Sequence, residues 1–151
     1  MTRIYESSTG QARDLATAEA DAIFNPFAGA TLEQAREIQK RRINQEWARR
    51  SRGGTIIAGQ RIETDETSQT QIRGALERLV LPQNAGRVLR LNTRTQRPLD
   101  IDLSLAETLA EAVGDFVIAC AENERALFDA VDAAETVAAV RAIDVTAGWP
   151  S

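Results

Sequence analysis

The chain contains no histidine, the residue that proteins use most often as a general base and as a metal ligand. A Ser-His-Asp hydrolase is therefore excluded. The single cysteine, Cys120, excludes an internal disulfide, and its place on an apolar helical stripe predicts a buried structural thiol rather than a nucleophile. No apolar run reaches the roughly eighteen residues that a membrane span needs. The N-terminus lacks an apolar signal region, so we expect the product to stay in the cytoplasm where it is made.

Lysine is almost absent as well, because seventeen of the eighteen basic residues are arginine. The 151 residues suffice for one domain with a terminal arm, and the net charge is −4. Basic residues crowd positions 36–52, whereas positions 107–144 are mostly acidic. Carboxylates are interleaved with the arginines, so this layout favours contacts within the chain or between copies over phosphate binding. We expect no nucleic-acid partner.

Without histidine, a metal site or an acid-base pair would have to be built from carboxylates. Asp100 and Asp102 share one face of a predicted strand, which could suit calcium, but acidic residues on the wet face of a strand are usually only solvated. Glycoside hydrolysis also uses paired carboxylates, yet the few aromatic residues are scattered and form no recognisable sugar-binding cleft. We therefore expect no enzyme, with no catalytic residue, no cofactor and no metal.

The most consistent local signals lie in residues 53–76. Two short β-favouring runs, 55–57 and 60–63, flank an Ala-Gly pair, so we predict a tight hairpin with positive φ at Gly59. Asp65 can then cap a helix by accepting from the backbone N–H of Thr67 or Ser68. Apolar residues at helical spacing follow as far as Val80, and we predict that the helix ends at Leu81-Pro82.

Further helices and a second hairpin are predicted around this stretch. Helices are expected at 13–24, at 31–52 with a Thr31–Gln34 capping box, at 104–134 with a Ser104–Glu107 capping box, and at 136–143. The second hairpin is expected to pair 88–93 with 98–103. The predicted apolar face of the longest helix comprises Leu105, Leu109, Ala112, Val113, Phe116, Cys120, Leu127 and Val131. The predicted fold class is α+β: two β-hairpins packed with amphipathic helices, preceded by an N-terminal helical arm.

Apolar residues in the first third of the chain lie among charged ones, so their burial partner is ambiguous. They are Phe24, Phe27, Leu32, Ile43 and Trp47. The phenylalanines could cover the edge of the main core, and helix 31–52 could be a solvated surface helix. Alternatively, these five residues contact a partner, because apolar groups in a polar segment often mark an interface. This last hypothesis divides the chain into an attachment or oligomerisation segment, 1–52, and a compact α+β module, 53–151.

The run Ile-Ala-Gly-Gln-Arg-Ile-Glu-Thr-Asp at 57–65, followed by Ser68-Gln69, resembles a signature of a domain of unknown function. That domain occurs in bacteriophage tail-fibre and tail-fibre-assembly proteins. The resemblance covers residues 43–150 and includes arginines before the signature, a strand pair, a long alanine-rich helix and an Ala-Ile-Asp close with Trp149. The chain departs from the pattern at Ile62, where an aromatic residue is common, and at the extra residues 145–148.

The resemblance implies a structural component of a phage tail, associated with the tail fibre or baseplate, that contributes to assembly of the host-attachment apparatus. An alternative is a tail-fibre assembly chaperone that binds the fibre without being a major virion component. The expected location is the virion tail, with the host cytoplasm during assembly. Expected partners are tail-fibre or baseplate proteins and further copies of the chain, a trimer being common among such fibres.

Overall fold

The computed structural model describes residues 25–92 and 98–151, together with the backbone of two short strands nearer the N-terminus. Over these residues the chain has the predicted α+β fold. The strands are β1 (Arg3–Tyr5), β2 (Ala12–Asp14), β3 (Thr55–Ile57), β4 (Gln60–Ile62), β5 (Leu89–Leu91) and β6 (Leu99–Ile101). The helices are α1 (Leu32–Arg52), α2 (Glu66–Leu79), α3 (Leu103–Ala133) and α4 (Val137–Ala142), with a 3-10 turn at Pro82–Asn84. None of these helices is long and apolar enough to cross a membrane.

The predicted N-terminal helix is only partly within the described residues. Strands β1 and β2 pair antiparallel, with Ile4 opposite Arg13. The expected helix therefore does not begin at Arg13, because Arg13 and Asp14 belong to a strand. Residues 15–24, the rest of that predicted helix, lie outside the described part of the chain.

Strands β3 and β4 form the predicted tight hairpin. They pair antiparallel in the register Thr55–Ile62 and Ile57–Gln60, so Ala58 and Gly59 alone make the turn. Both have positive φ, 51° and 77°, which is the backbone of a type I′ turn. The predicted conformation of Gly59 is confirmed.

Helix α2 begins where the sequence predicted. The Asp65 carboxylate accepts from the backbone N–H groups of Thr67 at 2.9 Å and Ser68 at 3.2 Å. The buried face of α2 packs on α3. The β3–β4 and β5–β6 hairpins cover the same apolar cluster, which we call the first core. Its buried members are Ile57, Ile62, Ile72, Ala75, Leu79, Ile101, Ala106, Leu109 and Val113.

The junction between β6 and α3 differs from the prediction. Asp102 is the N-cap of α3, and its carboxylate accepts from the Leu105 backbone N–H at 2.9 Å. The predicted Ser104–Glu107 capping box is therefore wrong, since Ser104 already lies inside the helix. Leu103, expected on the buried face of the strand, is instead in the first helical turn and exposed. A capping aspartate in extended backbone can end the strand two residues earlier than the apolar alternation indicates.

Helix α3 carries the predicted apolar stripe, with Leu109, Val113, Phe116, Cys120 and Val131 all buried. Its C-terminal half contributes to a second core. The buried members of this second core are Phe27, Ala35, Ile43, Val131 and Val140, and Trp149 packs against them despite the extra residues 145–148.

Helix α1 packs along α3 and against α4, so it contributes Ala35 and Ile43 to the second core. Both side chains are fully buried. The predicted division between 1–52 and 53–151 therefore runs through one shared cluster. Removing α1 would uncover Val131 and Val140, which are themselves fully buried.

We predict that Gly59→Val destabilises the protein by about 1–2 kcal/mol, because a β-branched residue at φ near 77° meets its own backbone. A Cβ at Gly59 meets no other atom within 4 Å, so the effect would come from backbone conformation alone. Chemical denaturation measures it, with the exposed neighbouring change Gln60→Glu as control. Equal stabilities of the two variants would contradict the turn assignment.

Candidate interaction surface

The signature stretch closes a buried hydrogen-bonded junction between the end of α1 and the start of α2. The Thr64 side chain is fully buried; its hydroxyl donates to the Ser51 carbonyl at 2.7 Å and accepts from the Gly54 N–H at 3.0 Å. The Gln69 amide donates to the Thr64 carbonyl at 2.7 Å. Since the last carbonyls of a helix lack intrahelical partners, Thr64 supplies a cap from a distant segment.

The neighbouring polar residues of the signature also contact one another. The Ser68 hydroxyl donates to the Asp65 carboxylate at 2.9 Å and lies 3.5 Å from the Glu63 carboxylate. Arg61 donates to the Gly53 carbonyl beside the junction. Polar side chains within and beside the signature are thus engaged in holding α1, the β3–β4 hairpin and α2 together.

The arginine-rich end of α1 is partly neutralised within the helix. Glu46 accepts hydrogen bonds from Arg49 and Arg50, the latter at 2.8 Å. Hydrogen bonding by Arg49, and then by Arg50, lowers the pKa of Glu46 to about 2. Arg41 and Arg52 are exposed and have no ion pair within the described residues. Only part of the basic cluster is therefore available to another molecule.

Other polar residues of α1 contact the opposite end of α3 and the segment after α4. Arg36 donates to the carbonyls of Asp132 and Ala134, at 3.0 and 2.8 Å, and Lys40 lies 2.7 Å from the Asp132 carboxylate. The fully buried Gln39 donates to the Ile143 carbonyl at 2.7 Å. The contacts of Arg36 and Gln39 explain these two polar residues on the buried stripe of α1, because each donates to carbonyls at a helix end.

The five residues predicted to contact a partner have different environments. Phe27 and Ile43 are 5% and 0% exposed and belong to the second core, so packing within the chain accounts for them. Leu32 is half-buried against the same core. Trp47 is half-buried, and its indole N–H has no hydrogen-bond partner in the described part of the chain. Phe24 lies outside the described residues, and the other four do not form one exposed surface, because Phe27 and Ile43 are buried.

The carboxylates considered for metal binding have protein partners. Asp100 pairs with Arg90 across the β5–β6 hairpin at 2.7 Å, and the hydrogen bond from Arg90 lowers the pKa of Asp100. Asp102 caps α3. Across residues 25–92 and 98–151, no three carboxylate or cysteine side chains are grouped to hold a metal. Burial raises the pKa of the Cys120 thiol, which disfavours the reactive thiolate.

Exposed apolar side chains occur elsewhere on the surface. Ile56, on the outer face of the β3–β4 hairpin, is 62% exposed. Val80 and Val88, which flank the turn between α2 and β5, are 59% and 60% exposed. Sequence reasoning missed these positions. Val80-Leu81 directly before Pro82 was a usable signal, since apolar residues at the end of a helix often lie beyond the core.

The surface also has two open grooves. One of about 760 Å³ lies beside the first turns of α1, with Thr31, Glu37 and Arg41 among its lining. Another of about 430 Å³ runs between α2 and β5, lined by Gln71, Gly74, Ala75, Arg78, Leu89, Arg90, Leu91 and Asn92.

Residues 34–147 match the family model described as a domain of unknown function, DUF4376. Because the match spans most of the chain, the protein belongs to this family. The matched range includes α1 as well as the signature, so it crosses the boundary that the sequence had placed near Arg52. No curated protein and no solved structure matches the chain.

We predict that Thr64→Val lowers the free energy of unfolding by about 1–3 kcal/mol, because the Ser51 carbonyl and the Gly54 N–H would lose their buried partner without a change of side-chain shape. Thr70→Val is the matched control, since the exposed Thr70 hydroxyl donates to the carbonyl of Glu66 within its own helix. Denaturant titration compares them. A loss no larger than that of the control would show that the junction is dispensable.

We predict that Glu46→Gln destabilises the protein by about 0.5–1 kcal/mol at pH 7. The lowered pKa means that this contribution is complete above the ordinary value of 4.5 and is lost as the pH falls towards about 2. When unfolding is measured from pH 7 downwards, the free energy of unfolding of the unsubstituted protein should fall towards that of the variant. Glu37→Gln, an exposed change on the same helix, provides the control, and a pH-independent difference would contradict the ion-pair explanation.

Proposed function

We propose that the chain is a structural component of a bacteriophage tail, associated with the tail fibre or baseplate, and that it contributes to assembly of the host-attachment apparatus. The main support is the resemblance of residues 57–69 to the signature found in tail-fibre and fibre-assembly proteins. The contacts of that stretch are compatible with such a role, because Thr64 and Gln69 hold elements together. No enzymatic activity is proposed.

The proposed partners are tail-fibre or baseplate proteins and further copies of this chain, with a trimer as the expected assembly. Exposed apolar residues on the first hairpin and around the α2–β5 turn, including Ile56, Val80 and Val88, support a role in binding another protein. The exposed residues Arg41 and Arg52 of α1, with the half-buried Trp47, form a second proposed contact. Of the five residues predicted from sequence, only Leu32 and Trp47 remain accessible enough among the described residues to reach a partner.

Quantitative mass spectrometry of purified particles tests the proposal. The phage that encodes the chain is compared with a deletion mutant, and copies of the chain per particle are counted against a tail protein. A structural component should be retained in fixed stoichiometry, and particles of the mutant should lack function in attachment.

The alternative, a fibre-assembly chaperone, gives a different result. The chain would be abundant in the lysate and depleted from finished particles, while the mutant would fail to form fibres. Normal particles and normal attachment without the chain would contradict both roles.

A further inference from the structure

The groove between α2 and β5 runs along the edge of a strand. Leu89, Arg90, Leu91 and Asn92 all line it, although successive side chains of a strand point to opposite faces. Lining by consecutive residues is the arrangement expected of a groove that follows the edge between the two faces. Strand β5 pairs only with β6 in its sheet, so this edge has no neighbouring strand within the described residues.

The opposite wall is one face of α2. Gln71, Gly74, Ala75 and Arg78 lie three, four and seven positions apart, the spacing of a single helical face. Gly74 lowers the stability of a helix interior relative to alanine, and a Cβ placed there would meet nothing within 4 Å. The fold therefore does not require a glycine at this position, but the missing side chain keeps the groove wide.

The charged residues that line the groove are all basic. Its lining includes Arg78 and Arg90 and no carboxylate, although the whole chain has a net charge of −4. Arg90 is paired with Asp100 on the neighbouring strand, whereas Arg78 has no ion pair within the described residues. Val80, two residues after Arg78, and Val88, directly before Leu89, are exposed apolar residues next in sequence to the lining.

From this arrangement we infer that the groove binds an extended, acidic segment of another protein, which adds a strand to the free edge of β5. Main-chain hydrogen bonds to the edge would hold the segment, apolar side chains would contact Leu89 and Leu91, and carboxylates would approach Arg78. Charge complementarity to the unpaired Arg78 favours an acidic segment over a second copy of β5, which has no carboxylate. The site rests on the groove itself and stands whether or not the chain belongs to a phage tail.

The test uses the full chain, labelled with ¹⁵N, and a capped peptide of about eight residues in which valine and glutamate alternate. We expect amide shifts confined to residues 71–78 and 89–92, with a Kd below about 1 mM at low ionic strength and weaker binding when salt is added. The same peptide with lysine in place of glutamate should not bind. Absence of binding, shifts elsewhere, or equal binding of the lysine peptide would overturn the proposal.

Gly74→Leu should fill the groove and weaken binding at least about tenfold, while Gly114→Leu in α3, another helical glycine with open space above it, should leave it within about twofold. Melting curves check that both variants are folded. Arg78→Glu leaves the groove open and should reverse the preference towards the lysine peptide, whereas Arg73→Glu on the same helix should not. Unchanged binding by both groove variants would overturn the site.

A second copy as the occupant gives a separate outcome. Amide shifts at residues 89–92 that depend on the concentration of the chain alone would show pairing between two β5 edges. That result would overturn the proposal of an acidic partner.

Discussion

The apolar stripe of α3 is the constraint on which the rest of the described structure depends. Thirty-one residues of helix extend over about 46 Å, long enough for two clusters to form side by side along one face. Leu109 and Val113 belong to the first core, and Val131 belongs to the second. Phe116 and Cys120 are buried between these positions, which makes the stripe continuous.

The smaller elements depend on α3 because they are too short to be stable alone. An isolated two-stranded hairpin is marginal in water, and the six residues of α4 are fewer than an independent helix needs. The β3–β4 and β5–β6 hairpins gain buried partners from α2 and α3, as Ile57 and Ile101 show. Helix α4 gains one through Val140, which packs with Val131 of α3 and Ile43 of α1.

Local features of the fold were predictable because the residues that produce them are adjacent in sequence. The Thr31 and Asp65 caps, the Ala-Gly turn and the stripe of α3 all follow from short-range stereochemistry and helical period. The start of α3 was misplaced because two capping signals, Asp102 and Ser104, lie two residues apart. The choice between them depends on where the strand pairing with β5 ends.

The role of α1 could not be read from its own residues. Arg36 and Gln39 interrupt its apolar stripe, and a mixed stripe fits a partner as well as it fits a hydrogen-bonded interior. The structure shows that these side chains donate to carbonyls at 132, 134 and 143, about a hundred residues away in sequence. The same ambiguity explains why Phe27 and Ile43 were assigned to a partner, since burial within the chain and burial at an interface leave the same pattern.

The stretch that carries the family resemblance and the proposed binding groove therefore consist of different residues. Thr64 and Gln69, in the stretch that carries the resemblance, are committed to internal hydrogen bonds, so variation there changes stability before it changes binding. Packing does not restrict the side chain at Gly74 in the groove, because a side chain added there meets no neighbour. Groove residues such as Gly74 can therefore be replaced without unfolding the chain. Partner specificity in this architecture is accordingly expected along the edge of β5 and the facing side of α2, where packing leaves the choice of side chain open.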